Sequence, residues 1–222
     1  MCGRFTLSQS DEAIAKAFDL ACVPTWQPRY NIAPTQMVPT VLLPPALCDR
    51  QFQLLRWGLI PSWAKDAAIG GRLINARAET VAEKASFRAA FRHRRCLVVA
   101  DGFYEWQRTE RKKQPFYFRL RDGQPFAFAG LWERWQAPDG ETIASCTILT
   151  TEASELLRPI HDRMPVILDP KDYDLWLDPA VQTPEPLQQL LRPYPAEVMT
   201  SYAVSTKVNN PANDSPECIT SL

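Results

Sequence analysis

The chain has 222 residues and a mass of 25.2 kDa, and its 45% apolar and 10% aromatic residues suffice to bury one core without a metal or disulfide staple. Lys and Arg together number 25, as do Asp and Glu, so the net charge is zero and a chain-wide electrostatic pull toward nucleic acid is excluded; any such contact has to come from local patches. The start, MCGRFTLSQS, lacks a signal-peptide run and no stretch approaches the roughly 20 apolar residues of a membrane span, so no membrane contact is expected and the location expected is cytosolic or nuclear (cytoplasmic and nucleoid-associated in a bacterium).

Taken in order, the first element predicted is a helix, with Ser10 as N-cap, Asp11 and Glu12 in the first turn and Ala13, Ile14, Ala17 and Phe18 on one face. Pro24, Pro28, Pro34, Pro39, Pro44 and Pro45 then leave room only for short extended segments such as Val38 to Leu43. Strand-like runs follow at Phe52 to Trp57, Cys96 to Ala100, Phe116 to Leu120, Phe126 to Leu131, Ile143 to Thr150, Met164 to Leu168 and Val198 to Val204. Helical patterns fall at Thr80 to Phe91, Ala153 to Leu157, Lys171 to Leu177 and Pro186 to Leu191. Strands arriving in succession, with hairpin-type breaks at Arg121-Asp122-Gly123 and Pro138-Asp139-Gly140, favour a β-rich α+β fold with mostly antiparallel sheets over alternating βαβ units. Nothing divides the chain, so 1–222 is expected to be one domain, ending in an irregular tail over 210–222.

Six cysteines lie 20 or more residues apart and never as C-x-x-C, so neither a zinc site nor a disulfide framework is expected, and Cys96 and Cys146 read as small buried hydrophobes. Cys2 differs. The residue after the initiator is small enough for Met1 to be trimmed, which leaves an amine and a thiol on adjacent carbons, with reference pKa values of about 7.7 to 8.0 and about 8.5. With an aldehyde such a pair forms an imine and then closes sulfur onto it, giving a five-membered thiazolidine. Gly3 leaves room beside the terminus, and Arg4 favours thiolate and an anionic substrate. The bland alternative is an incidental Met-Cys start.

Three polar constellations accompany it. In Leu73-Ile74-Asn75-Ala76-Arg77-Ala78-Glu79, Asn75 and Arg77 follow a short apolar run; the structural alternative makes Asn75 a cap and Arg77 a partner of Glu79. Glu105, between aromatic residues in Phe103-Tyr104-Glu105-Trp106, has the setting of a desolvated acid suited to proton transfer, or of a structural ion pair. His161, in Pro159-Ile160-His161-Asp162-Arg163, suits proton exchange near neutrality, although a lone histidine is often structural. His93 reads as part of a basic surface run. The segments around Arg29 to Pro34 and Arg56 to Trp63 have the arginine and aromatic content that grips single strands, though most of seven tryptophans belong in a core.

The succession MCGRF, RYNIAPTQ, RWGLIPSWA, INARAET, ADGFYEW, KKQPFYF, FAGLWE and PIHDRMPVIL resembles the SRAP family, the abasic-site processing proteins once described as SOS-response-associated peptidases. The resemblance runs from Cys2 to about Asn209. It implies a β-rich α+β domain with a barrel-like core, a basic cleft for single-stranded DNA, a monomeric state and no cofactor or metal. It also implies a DNA-protein crosslink: the mature Cys2 forms a thiazolidine with the ring-opened sugar of an abasic site, with β-elimination and crosslink reversal as associated activities. By position, Cys2 is the nucleophile, Asn75 orients the terminus or the sugar, Glu105 handles protons at the amine and His161 promotes ring opening. Arg4, Arg77 and Arg163 match phosphate contacts, with Asn31 and Trp63 nearby in the cleft, and the segment from Val204 to Asn209 lines the site.

Three rival readings remain at this point. Some N-terminal-nucleophile glutamine amidotransferases also begin Met-Cys-Gly, but an apolar continuation is expected there and Arg4-Phe5 follows here. A non-catalytic single-strand binding module would make Asn75, Glu105 and His161 structural. A protease acting on other proteins is suggested by the family's older name.

Overall fold

The computed structural model describes residues 2–44, 49–108 and 113–222; Met1, Pro45 and Cys48, which enter the sequence reading, lie outside the described residues. In chain order the elements are β1 (Phe5–Leu7), α1 (Asp11–Phe18), β2 (Arg29–Ile32), β3 (Met37–Leu42), β4 (Gln51–Trp57), β5 (Asn75–Arg77), α2 (Arg88–His93), β6 (Arg95–Ala100), β7 (Gly102–Arg108), β8 (Lys113–Leu120), β9 (Phe126–Gln136), β10 (Thr142–Glu152), β11 (Arg163–Pro165), β12 (Ile167–Leu168), α3 (Tyr173–Leu177), α4 (Pro184–Gln188) and β13 (Met199–Ala203). The fold is the expected β-rich α+β architecture. Helix α1 starts where Ser10 Oγ accepts the Ala13 N–H at 3.2 Å and ends at Asp19 in the left-handed region, with Ile14 and Phe18 buried.

Strands β10, β4, β3, β6 and β9 form a closed ring, because β9 pairs with both β6 and β10; closure removes the open edges of a flat sheet. The pairings are antiparallel except for β10 with β4 and β10 with β5. A second sheet runs β13-β8-β7-β1-β2. Its one face packs on the barrel through Phe5, Phe103 and Phe118, with Phe5 and Phe103 edge-on to Phe128. The opposite face, carrying Tyr104 and Tyr117, is covered by Val204, Val208 and Cys218 of the C-terminal stretch, so residues 210–222 are irregular yet seal the back of this sheet. Among the described residues no helix is long and apolar enough to cross a membrane.

Several boundaries differ from the sequence expectation for identifiable reasons. The Arg121-Asp122-Gly123 break is not a hairpin: β8 and β9 belong to different sheets, whereas Pro138-Asp139-Gly140 does join the antiparallel β9 and β10. Of the helix expected from Thr80 to Phe91, only Arg88–His93 is α-helical; Ala78 N still donates to Thr150 O on β10 and the chain leaves it through turns. Ala153 to Leu157 makes turns only, since Pro159 removes a donor and disfavours helix at the residue before it. The strand expected from Met164 to Leu168 breaks at Val166, whose N–H reaches Leu149 O while its carbonyl accepts Ala129 N–H, so the chain crosses from β10 to β9 there. The strand expected from Val198 starts at Met199 after a single 3-10 turn. Strands β1, β2, β5 and β7 went unforeseen, three of them because they are only three or four residues long. Within the run read as a basic surface, His93 is exposed but Arg95 is buried, its guanidinium donating to the carbonyls of Phe91, Arg92, Trp176 and Asp178 and tying the ends of α2 and α3 to the barrel.

Candidate active site

The site gathers at the seam between the two sheets. Strand β1 pairs with β7 in an antiparallel register, Phe5 opposite Phe103 and Thr6 opposite Gly102, and Tyr104 N donates to Arg4 O at 3.0 Å. That register carries the chain before Phe5 toward Glu105 and Trp106. Cys2 is fully buried, with Sγ 3.9 Å from Arg4 O, and Asn75 Nδ2 donates to its carbonyl at 2.8 Å. Asn75 stands at the head of β5, which β10 holds in parallel with Asn75 opposite Ile148. The other side-chain atom of that amide, Oδ1, is buried and has no hydrogen-bond partner in the structure.

Glu105 is 3% exposed, and burial, with the Asp162 carboxylate adding to it, pushes its pKa up to about 7. Burial likewise raises the Cys2 thiol well above its usual range, and the neighbouring Glu105 carboxyl is the next cause. The two groups therefore feel each other directly. A carboxyl poised near neutrality beside a thiol that resists ionisation is a pair between which a proton can be exchanged.

The turn bearing His161 lies against β7 through Gln107 Nε2, which donates to Pro159 O at 3.2 Å, and Asp162 raising Glu105 marks the same proximity. His161 Nδ1 accepts the Arg163 N–H at 3.0 Å, leaving Nε2 to carry the proton of the neutral ring; Asp162 Oδ1, also 3.0 Å from Nδ1, pairs with the ring when it is protonated. Cys2, Asn75 and Glu105 are thus brought together from three separate stretches of chain, and the turn that bears His161 lies against the Glu105 strand.

The other site residues divide. Arg77 is exposed and shares a face of β5 with Asn75. Arg163 grips Glu79 through both terminal nitrogens, at 2.6 and 3.0 Å, and donates to Thr150 O at 2.6 Å. Glu79, which Arg163 holds below the usual carboxylate range, is therefore the partner of Arg163 rather than chiefly of Arg77. Arg4 donates to Asn31 Oδ1 at 2.7 Å and Val208 O at 2.8 Å, and lies over the Trp106 ring. Asn31, expected in the cleft, is fully buried and donates to the carbonyls of Val208, Asn210 and Asn213, and among the described residues it meets the site through Arg4. Trp63 is 59% exposed beside a surface pocket shared with Lys65, Ile69 and Arg72. Its loop is pinned by Trp135 Nε1 on Ala64 O and by the back-to-back approach of Gly58 and Gly70, where a Cβ on Gly58 would lie 2.6 Å from Gly70 O.

Sequence reasoning missed Trp106, whose Nε1 donates to Asn209 Oδ1, and Asp162 as a charge acting on Glu105. It also gave Val208 and Asn209 no specific contact: Val208 acts through its main-chain carbonyl, which leaves no mark in a residue pattern, and the Asn209 side chain meets a tryptophan 103 residues away in the chain. Among the described residues no group of three or more His, Cys, Asp and Glu side chains converges to hold a metal.

The family described as "SOS response associated peptidase (SRAP)" matches residues 1–211. The chain is 47% identical over 225 residues, covering all of both sequences, to a Bacillus subtilis protein named "Abasic site processing protein YoqW". It is 34% identical over 266 residues to the Xenopus tropicalis "Abasic site processing protein HMCES", covering 100% of this chain and 78% of that one. Among solved structures, a Bordetella bronchiseptica protein superposes with a TM-score of 0.77 at 30% identity, over 92% of this chain and 100% of that one. A Bacteroides thetaiotaomicron protein gives a TM-score of 0.86 over both full chains, and at 24% identity shares the fold alone.

Proposed function

The chain belongs to the SRAP family, and from that premise we propose that it processes abasic sites in single-stranded DNA by covalent capture on Cys2 after removal of Met1. The names of its relatives supply the lesion class. The observation that carries the chemistry is the meeting of Cys2 with Glu105 and Asn75: the thiol feels the Glu105 carboxyl, and the Asn75 amide holds the Cys2 carbonyl at 2.8 Å.

The sequence of steps balances without a cofactor. The abasic sugar is a cyclic hemiacetal; opening it moves a proton from the C1 hydroxyl to the ring oxygen, an exchange suited to the Nε2 face of His161. The freed α-amine of Cys2 adds to the aldehyde carbon, and protonated Glu105 gives its proton to the resulting hydroxyl, which leaves as water, so that an iminium ion and the Glu105 carboxylate remain. Sγ then bonds to the same carbon while its proton passes to Glu105, closing a thiazolidine. Glu105, with a pKa near 7, accepts that proton and returns it when the ring reopens. From the open imine, loss of a proton at C2 and departure of the 3′ phosphate gives the β-elimination side reaction. Arg77, exposed on the face that presents Asn75, steers the phosphates, and Trp63 offers a surface for an unstacked base. Asn31 acts by holding Arg4.

The test is mass spectrometry of the intact protein mixed with an oligonucleotide carrying one abasic site. A single covalent adduct, lacking Met1 and resistant to denaturation, is expected, and Cys2→Ala abolishes it. Cys2→Ser retains the amine without sulfur and yields only a hydrolysable imine; a durable adduct from that variant refutes ring closure by sulfur. Robust ammonia release from glutamine by the wild type would instead favour the amidohydrolase reading.

A further inference from the structure

Strand β1, which leads from Cys2, is three residues long and pairs with β7 at two positions only. Its apolar pattern, Phe5 and Leu7 inward with Thr6 between them, forbids a one-residue slip but not a slip by two, which keeps every side chain on its proper face. A two-residue slip moves Cys2 by about 7 Å along β7. Something other than hydrophobic patterning has to exclude it.

Asp101 occupies that place. It is 5% exposed and immediately precedes β7. Its Oδ1 accepts Thr6 Oγ1 at 2.5 Å, Oδ2 accepts Ser8 N at 2.7 Å and Ser8 Oγ at 2.6 Å, and its own N–H donates to Thr6 O at 3.0 Å. Thr6 Oγ1 lies 2.9 Å from Tyr117 Oη on β8, an approach that needs glycine next in the chain, since a Cβ on Gly102 would sit 2.1 Å from that oxygen. Thr6 and Tyr117 stand on the back of the sheet, whereas Glu105 shares the barrel-facing side with Phe103, so the carboxylate of Asp101 is directed at the strand and not at the reacting atoms.

We propose that Asp101 is a positioning residue that locks the register of the Cys2-bearing strand against the Glu105-bearing strand. The inference rests on the function proposed above for its kinetic consequence but not for its structural one. Asn at 101 preserves the geometry without the charge: Oδ1 serves both Ser8 donors, while Nδ2 donates to Thr6 Oγ1, whose hydrogen turns to Tyr117 Oη or to Gly102 O at 3.3 Å. Asp101→Ala takes the acceptor from Ser8 N and Ser8 Oγ and leaves Thr6 Oγ1 with only Tyr117 Oη and Gly102 O.

Wild type, Asp101→Ala and Asp101→Asn are compared in two measurements. In the first, the rate of adduct formation is followed over a range of abasic-oligonucleotide concentrations; Asp101→Ala lowers the maximal rate on the order of tenfold or more at an unchanged half-saturating concentration, and Asp101→Asn restores it. In the second, iodoacetamide labelling is read residue by residue. Cys2 labels faster in Asp101→Ala while the buried Cys96 and Cys146 stay protected, with the exposed Cys22 as the reactive reference. Should Asp101→Ala not fold, Ser8→Ala and Thr6→Val remove the donors one at a time and show the same pattern on a smaller scale. The proposal is overturned if Asp101→Ala matches wild type in both measurements, if Asp101→Asn fails like Asp101→Ala, or if Cys2, Cys96 and Cys146 become reactive together. Absence of any adduct from wild type sinks the abasic-site reading alone, and the labelling pattern still decides the role of Asp101.

Discussion

Asn75 and Cys2, 73 residues apart, are joined by one hydrogen bond from the Asn75 amide to the Cys2 carbonyl at 2.8 Å, while the amide's other atom, Oδ1, is buried with no partner. A buried amide with only its donor engaged is costly unless a third group completes it, and a hydroxyl of the ring-opened sugar has the required hydrogen. Asn75→Ala is expected to cost about 1 kcal/mol of fold stability yet slow adduct formation about tenfold or more. Asn75→Asp is expected to be slower still, because it turns an acceptor toward the Cys2 carbonyl. Thermal melts and denaturing gels on both variants check the ordering; equal rates for wild type and Asn75→Ala contradict it.

Glu105 links stability to pH. Its pKa is raised from 4.5 to about 7 by burial, so the protonated form is the one the fold favours. The stabilisation it confers is fully present below the ordinary carboxylate range and is lost as pH rises through about 7. Above that point Glu105→Gln, which carries no charge to bury, is expected to be more stable than wild type by at most about 3 kcal/mol, and near pH 4 the two melt together. Melting curves between pH 4 and 8 read this directly. The same variant is expected to lose the inflection near pH 7 in the rate of adduct formation, so it gains stability while losing activity.

Both halves of that trade are visible in the residues themselves, and they show what a sequence can tell. Glu105 between Tyr104 and Trp106 reads as a desolvated acid because aromatic neighbours on both sides imply burial, and burial dominates its pKa. Cys2 and His161 stand out by residue type. The barrel is legible in the long apolar runs that became β6, β9 and β10. The strand-pair geometry at the site is not: β1 and β5 are three residues each, too short for a period to show, and they are held by side chains such as Asp101 and by β10. The family resemblance puts Asn31 nearby in the cleft, whereas the partners of its amide nitrogen are the carbonyls of Val208, Asn210 and Asn213, which no local pattern reveals.

Asn31 yields the third prediction. Its amide fastens the C-terminal stretch while its Oδ1 holds Arg4, so Asn31→Ala leaves three carbonyls and a guanidinium short of a partner. A loss of about 3 kcal/mol is expected. Because Arg4 then loses its Asn31 acceptor and keeps only the Val208 carbonyl, adduct formation measured well below the melting temperature is also expected to slow. A melt unchanged from wild type would show that the stretch is held by Val204, Val208 and Cys218 alone.

Arg77 and Arg163 carry the same charge but not the same job. Arg163 is engaged by Glu79 and by the Thr150 carbonyl, next to His161, whereas Arg77 is exposed on the face that presents Asn75. Arg77→Ala is therefore expected to weaken binding of intact single-stranded DNA and to reduce the slope of log affinity against log salt by about one contact, with little change in melting temperature. Arg163→Ala is expected to lower the melting temperature as well, since it strands Glu79 and loosens β11 from β10 beside the His161 turn. Titrations of a labelled oligonucleotide at several salt concentrations separate the two. A salt slope unaltered by Arg77→Ala would remove this arginine from the DNA path and leave the phosphates to be held elsewhere on the face, with Lys65 and Arg72 beside Trp63 the next residues to change.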